Sequence, residues 1–167
     1  MDGVTPESGP VQAPPGYRFP ESSVGLLPWS HAEQRLEVAR YYWLTTVRPD
    51  GRPHVTPLWG VWVARALFLD GSPKTRWARN LVLNPQASVH LESGSDVVIV
   101  EGVVEDLVTS PDLGTAVIDA WNTKYGRLAP NPAENGIFRF RPRTARAWST
   151  ETLEDGTRWL FPDQVRP

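Results

Sequence analysis

Apolar and polar positions alternate along short stretches of this chain, and helical signals interrupt them in three places. YYWLTTV (41–47) and RPHVTPLWGVWV (52–63) are rich in aromatic and β-branched residues and flank Arg48-Pro49-Asp50-Gly51. Proline presets one turn dihedral and glycine accepts positive φ, so this pattern predicts a hairpin. Pro53 and Pro57 inside the second strand predict an edge or a bulge, because proline cannot donate to a ladder. ALFLD (66–70), QASVHLE (86–92) and DVVIVEGVVEDLV (96–108) read as further strands, the last bent at Gly102. GIFRFRP (136–142), TARAWST (144–150) and TRWLFP (157–162) complete the series.

The first helical signal is Ser30-His31-Ala32-Glu33, the form of a capping box, which predicts a helix to about Arg40. A short second helix is predicted over Ser72 to Leu83, ended by Asn84-Pro85. Ser110-Pro111 supplies a cap and a first-position proline for a third helix, closed by Gly126. Residues 1–28 carry Pro6, Pro10, Pro14, Pro15, Pro20 and Pro28, a composition that sustains no helix and predicts an extended, partly disordered arm. Its first dozen residues are expected to be mobile, with Tyr17, Phe19, Leu26 and Leu27 available to pin the rest. Residues 29–167 form the expected domain. Many short strands with few helices predict a mainly β barrel with peripheral helices rather than a doubly wound sheet.

Composition narrows the function classes. At 167 residues and 18.7 kDa the chain has single-domain size, and a domain this long buries roughly 70% of its extended surface. No apolar run approaches the roughly 18 residues that span a bilayer, and the N-terminus lacks the basic start and apolar segment of a secretory signal, so cytoplasm is expected. With no cysteine, redox chemistry has to come from a bound cofactor. A net charge of −2 with scattered arginines argues against nucleic acid as a partner. Fifteen Arg stand against two Lys, and the Arg fork suits phosphate and carboxylate.

GSPKTRWARNL (71–81) places Ser72, Lys74, Thr75, Arg76 and Arg79 around the start of a short helix, directly after a strand. Free amides and partial positive charge make a helix start an anion site, so this segment reads either as a phosphate cradle or as a capped surface helix with solvated arginines. Thr56, in HVTPLWG, offers a hydroxyl to the same anion or is an ordinary strand threonine. Trp59 and Trp62 either wall a pocket for a planar ligand or pack in the core. His31, His54 and His90 are too scattered to suggest a metal site, and His54 reads as an acid or base or as a satisfied strand histidine.

The run from Leu44 to Leu107 resembles the pyridoxamine 5′-phosphate oxidase-like family of flavin-binding split barrels. The matching pieces are Arg-Pro-Asp-Gly-Arg-Pro-His, HVTPLWG, GSPKTRWARNL with the following Asn84-Pro85, and VVIVEGVVEDL, in the family's order. The resemblance implies a homodimeric split β-barrel. It implies a cofactor phosphate held by Thr56, the Pro57 and Leu58 backbone, Ser72, Thr75, Arg76 and Arg79, with Lys74 as a further cation. Trp77 falls where many members have lysine. Trp59 would wall the ring. In the family a Trp and an Arg separated by nine residues reach the ring from the partner subunit, and Trp148 and Arg158 show that spacing. The Arg-x-His substrate motif of true pyridoxamine phosphate oxidases is replaced by STETLEDGT, which argues against that substrate.

The implied activity is that of an oxidoreductase using FMN or the deazaflavin coenzyme F-420 on a small organic substrate. Two rivals stand beside it: a non-catalytic flavin or deazaflavin carrier, and a haem-binding or haem-degrading protein on the same barrel.

Overall fold

A computed structural model describes residues 5–106, 111–126, 137–151 and 153–162. Strand β1 (Glu7–Pro10) is followed by helix α1 (Trp29–Val38), strands β2 (Tyr42–Val47), β3 (Pro53–Leu58), β4 (Gly60–Val63) and β5 (Ala66–Asp70), then helix α2 (Arg76–Leu83). Strands β6 (Gln86–His90) and β7 (Asp96–Asp106), helix α3 (Pro111–Tyr125) and strands β8 (Ile137–Ser149) and β9 (Thr157–Leu160) complete the order.

The β2–β3 hairpin forms where the pattern places it. Gly51 takes φ +81° and donates its N–H to the Arg48 carbonyl at 2.9 Å, while Asp50 accepts from the Arg52 amide at 3.1 Å. Among the described residues β3 pairs only with β2, so Pro53 and Pro57 sit on an edge where their missing donors cost nothing. The predicted single strand 52–63 is broken at Trp59. β4 leaves that edge and pairs with β5 instead, and a Cβ on Gly60 would lie 2.9 Å from the Phe68 carbonyl, so only glycine allows this approach.

All ladders are antiparallel, in the order β1-β9-β8-β7-β6-β2-β3, with β5 joining through β8. β8 is one strand of 13 residues where two were expected. It pairs with β7 along its length, with β5 through Ile137–Phe140 and with β9 through Thr144–Ala147. Pro142 is accommodated because the ladder bulges at Glu101/Gly102, opposite it. The change of neighbour from β5 to β9 along β8 splits the sheet into two wings, giving an open, mainly β split barrel.

Leu44, Val89, Val100 and Ala145 form one row across four strands of the inner face and are fully buried or nearly so. α1 covers them with Trp29, Ala32 and Leu36, and α2 with Trp77, Ala78 and Leu81. A smaller core lies on the other side of β4 and β5, where α3 contributes Val117, Trp121 and Tyr125.

The capping box does not form. α1 begins two residues earlier, at Trp29 after Pro28, with no side-chain cap, and Ser30 lies inside its first turn. Trp29 packs on Trp62, Trp159 and Phe161, so burial of the indole fixes the helix start. The proline-rich arm, read as extended with its first dozen residues mobile, contributes β1 at residues 7–10. That strand pairs with β9, and Val11 beyond it is buried. Gly126 closes α3 as expected, at φ +67° with its N–H on the Asn122 carbonyl at 2.9 Å. Ser110 lies outside the described residues.

Candidate functional site

The residues singled out in the sequence fall into two groups. The first surrounds the junction of β5 and α2. The helix begins at Arg76 rather than at Ser72, and residues 72–75 make a turn in which the Thr75 amide donates to the Ser72 carbonyl at 3.0 Å. Thr75 is the N-cap: its hydroxyl donates to the Ser72 carbonyl at 2.8 Å and accepts from the Ala78 amide at 3.4 Å. The Ser72 hydroxyl accepts from the Lys74 amide at 3.2 Å. Both hydroxyls therefore already serve the turn.

Lys74, Arg76 and Arg79 are exposed, the two arginines three residues apart on the helix and so on one side of it. Trp77 does not belong with them. It is 3% exposed, meets Phe138 edge-on at 4.8 Å and lies against Gly71. Trp77, Ala78 and Leu81 are the buried apolar face of α2, so Trp77 is a core residue and not a phosphate contact.

Beneath α2, Asn80 is buried and donates to the Thr46 hydroxyl at 3.0 Å, tying the helix to the inner face of β2. Thr46 faces His54, and Leu44 faces Thr56, so His54 and Thr56 share that inner face. His54 Nδ1 is buried with no partner among the described residues. Asp70, at the end of β5, has a buried, unpartnered Oδ1, and burial pushes its carboxyl above the usual range.

Trp59 stands in the break between β3 and β4, 37% exposed and stacked on Tyr125 at 5.4 Å and 15°. The Tyr125 hydroxyl lies 2.6 Å from the Arg40 carbonyl and accepts from the Gly60 amide at 3.1 Å. Lys124 donates to the Tyr42 hydroxyl at 3.0 Å, and burial lowers its ammonium to about 8. Sequence reasoning missed Lys124 and Tyr125 because NTKYG reads as an exposed helix end; nothing local says that this end docks on Gly60. Trp62 is buried against Trp29, and Pro57 and Leu58 lead up to Trp59 on the edge strand.

The second group lies on β8 and β9. Arg158 is opposite Arg146, and Trp148 is two residues along from Arg146, so all three share a face. Arg146 is paired to Glu101 at 3.0 Å, whereas Arg158 Nε is buried with no partner among the described residues. Trp148 is met edge-on by Phe19 at 5.6 Å.

One chain does not bring the two groups together. Thr56 belongs to the inner row that ends at Ala145, and Trp148 is three positions from Ala145, on the outer face of the same sheet. An anionic cofactor fits the exposed cations at α2 and the unpaired Arg158 Nε; Trp77 does not fit it.

Residues 29–149 match the family described as pyridoxamine 5′-phosphate oxidase. No curated protein matches the chain. Among solved structures, an F-420 reductase is 28% identical at TM-score 0.55, with 80% of this chain and 98% of that one covered. An FAD-binding protein from Mesorhizobium loti is 22% identical at TM-score 0.59, covering 79% and 93%. The heme storage protein HutZ from Vibrio cholerae is 23% identical at TM-score 0.53, covering 68% and 87%. Because the family match takes in the hairpin, α2 and all of β8, the chain belongs to the pyridoxamine 5′-phosphate oxidase family.

Proposed function

We propose that this protein is a homodimeric oxidoreductase that binds the deazaflavin coenzyme F-420, with FMN as the alternative cofactor, and acts on a small organic substrate. The likeness to an F-420 reductase over nearly all of that chain supports the choice of cofactor. The observation that carries the shared site is the placement of the two residue groups on opposite faces of one sheet. A pocket that uses both needs a second copy of the chain, as a two-fold interface provides.

In this reading Arg76, Arg79 and Lys74 hold the phosphate, with Thr56 and the backbone of Pro57 and Leu58 lining its approach. Ser72 and Thr75 act by fixing the turn that presents these cations. Trp59 and Trp148 exclude water from the ring, and the Arg158 guanidinium donates toward its anionic edge. When bound, the ring supplies hydride transfer, so no side chain has to act as an obligatory acid or base.

Titration of the purified protein with F-420 and FMN tests the assignment. Arg76→Ala should weaken binding roughly tenfold or more, the loss of one charge-assisted hydrogen bond of about 1.5 kcal/mol. Binding of neither cofactor removes the redox assignment, and a Soret band in the purified protein favours haem instead. Turnover of enones, quinones or tetrapyrroles by the reduced holoprotein separates an enzyme from a carrier.

A further inference from the structure

The proline-rich arm returns to the place it leaves. The Val11 amide donates to the Gly156 carbonyl at 2.9 Å, and the Leu27 amide donates to the Thr157 hydroxyl at 2.8 Å. Residues 12–26 are thus a closed loop with both feet on neighbouring residues at the start of β9. Gly16 at φ +97° and Gly25 at φ +80° lie near its two ends. Nearly all of the loop is exposed; Phe19 and Pro20 are the half-buried exceptions before Gly25.

Phe19 sits in a place made for it. A Cβ on Gly156 would overlap the Phe19 ring, although φ at Gly156 is not in the left-handed region, so what this position needs from glycine is space. The β8–β9 ladder ends at Ala147 opposite Thr157, so Gly156 and Trp148 are the residues next beyond its last pair. Gly156 therefore offers Trp148 no cross-strand side chain, and Phe19 fills that gap, edge-on to the indole at 5.6 Å and 88°. Val97 lies across from Trp148 on the β7 side. Tyr17 stacks on the outer side of Phe19 at 6.5 Å.

We propose that Phe19 is a positioning residue of the cofactor site: seated on Gly156, it sets the orientation in which Trp148 meets the ring. This rests on the reading that Trp148 contacts the cofactor. The arm thereby becomes part of the binding machinery. The loop that carries Phe19 can open without breaking a strand, since both feet are held outside it.

The full chain tests this with Phe19→Ala, Phe19→Tyr, Gly156→Ala and Trp148→Ala. Trypsin cleavage after the exposed Arg18, in the absence of cofactor, should quicken several-fold in Phe19→Ala and Gly156→Ala and stay unchanged in Phe19→Tyr. F-420 and FMN affinity should fall several-fold in Phe19→Ala with an altered bound-cofactor absorbance and an unchanged thermal midpoint, and Phe19→Tyr should restore both. If Trp148→Ala weakens binding while Phe19→Ala and Gly156→Ala do not, the role of Phe19 is overturned and the cofactor site stands. If Trp148→Ala has no effect, Trp148 is not at the ring and both fall. A Phe19→Ala loss that follows a lowered thermal midpoint, without rescue by tyrosine, makes the contact merely structural and overturns the inference. Should Gly156→Ala fail to fold, the Phe19 pair carries the test alone.

Discussion

The Lys124 ammonium donates to the Ala39 carbonyl at 3.0 Å, the Tyr42 hydroxyl at 3.0 Å and the Gly60 carbonyl at 3.3 Å, and it lies over the Tyr42 ring. Burial outweighs these partners and takes its ionisation from 10.5 down to about 8. Between those values the unfolded chain binds more protons at this position than the folded one, so stability rises with pH across that window. Below about 8 the group is charged in both states, and the cost of burying the charge stands in full. Burial also raises Tyr42 and Tyr125 above their ordinary 10.0, so above that value the folded state holds the extra protons and stability falls again. Urea midpoints measured from pH 7 to 11 should therefore climb and then drop. Lys124→Met should remove the climb while leaving the drop.

Individual elements hang on single atoms in a way that local sequence hides. A Cβ on Gly102 would overlap the Arg141 carbonyl, so Gly102→Ala has to push β7 from β8 at the bulge. Backbone displacement of this kind costs about 1–3 kcal/mol or more, read as a lowered urea midpoint. α3 docks through the Tyr125 hydroxyl, which serves the Gly60 amide. Tyr125→Phe leaves that buried donor unpaired and should cost about 1–3 kcal/mol, measured by chemical denaturation. At α2, Thr75→Ala should lose about 1 kcal/mol with its cap, and Thr75→Ser should retain it.

At the scale of the whole molecule, the proposed dimer needs a second chain against the outer face of the sheet, the face that carries Trp148 and Arg158. Trp43 stacks on His90 there at 6.2 Å, and Ile99 stands between His90 and Arg146, half-buried within one chain. Sedimentation should give twice the 18.7 kDa chain mass. Ile99→Arg should yield monomers, because a second guanidinium set across from Arg146 is a like charge that is costly to bury under another chain. It should also weaken cofactor binding at least tenfold, although Ile99 lies on the face opposite Thr56. A monomeric variant that binds cofactor normally would place the whole site within one chain.

The sequence alone determined what depends on neighbours a few residues apart. Pro49-Asp50-Gly51 made the hairpin, Gly102 the bend and Gly126 the end of α3, because turn dihedrals and strand alternation are local properties. The ordered pieces from Leu44 to Leu107 likewise carried the family resemblance. Only the tertiary structure decided the break at Trp59, the joining of 136–142 and 144–150 into β8, the pairing of the arm with β9 and the burial of Trp77. It also decided that Thr56 and Trp148 lie on opposite faces of one sheet. Each of these turns on which distant segment supplies a hydrogen-bond partner or an apolar surface. Trp29 overrode the capping-box sequence Ser30-His31-Ala32-Glu33 because burying an indole against three aromatic rings outweighs a cap worth about 1 kcal/mol.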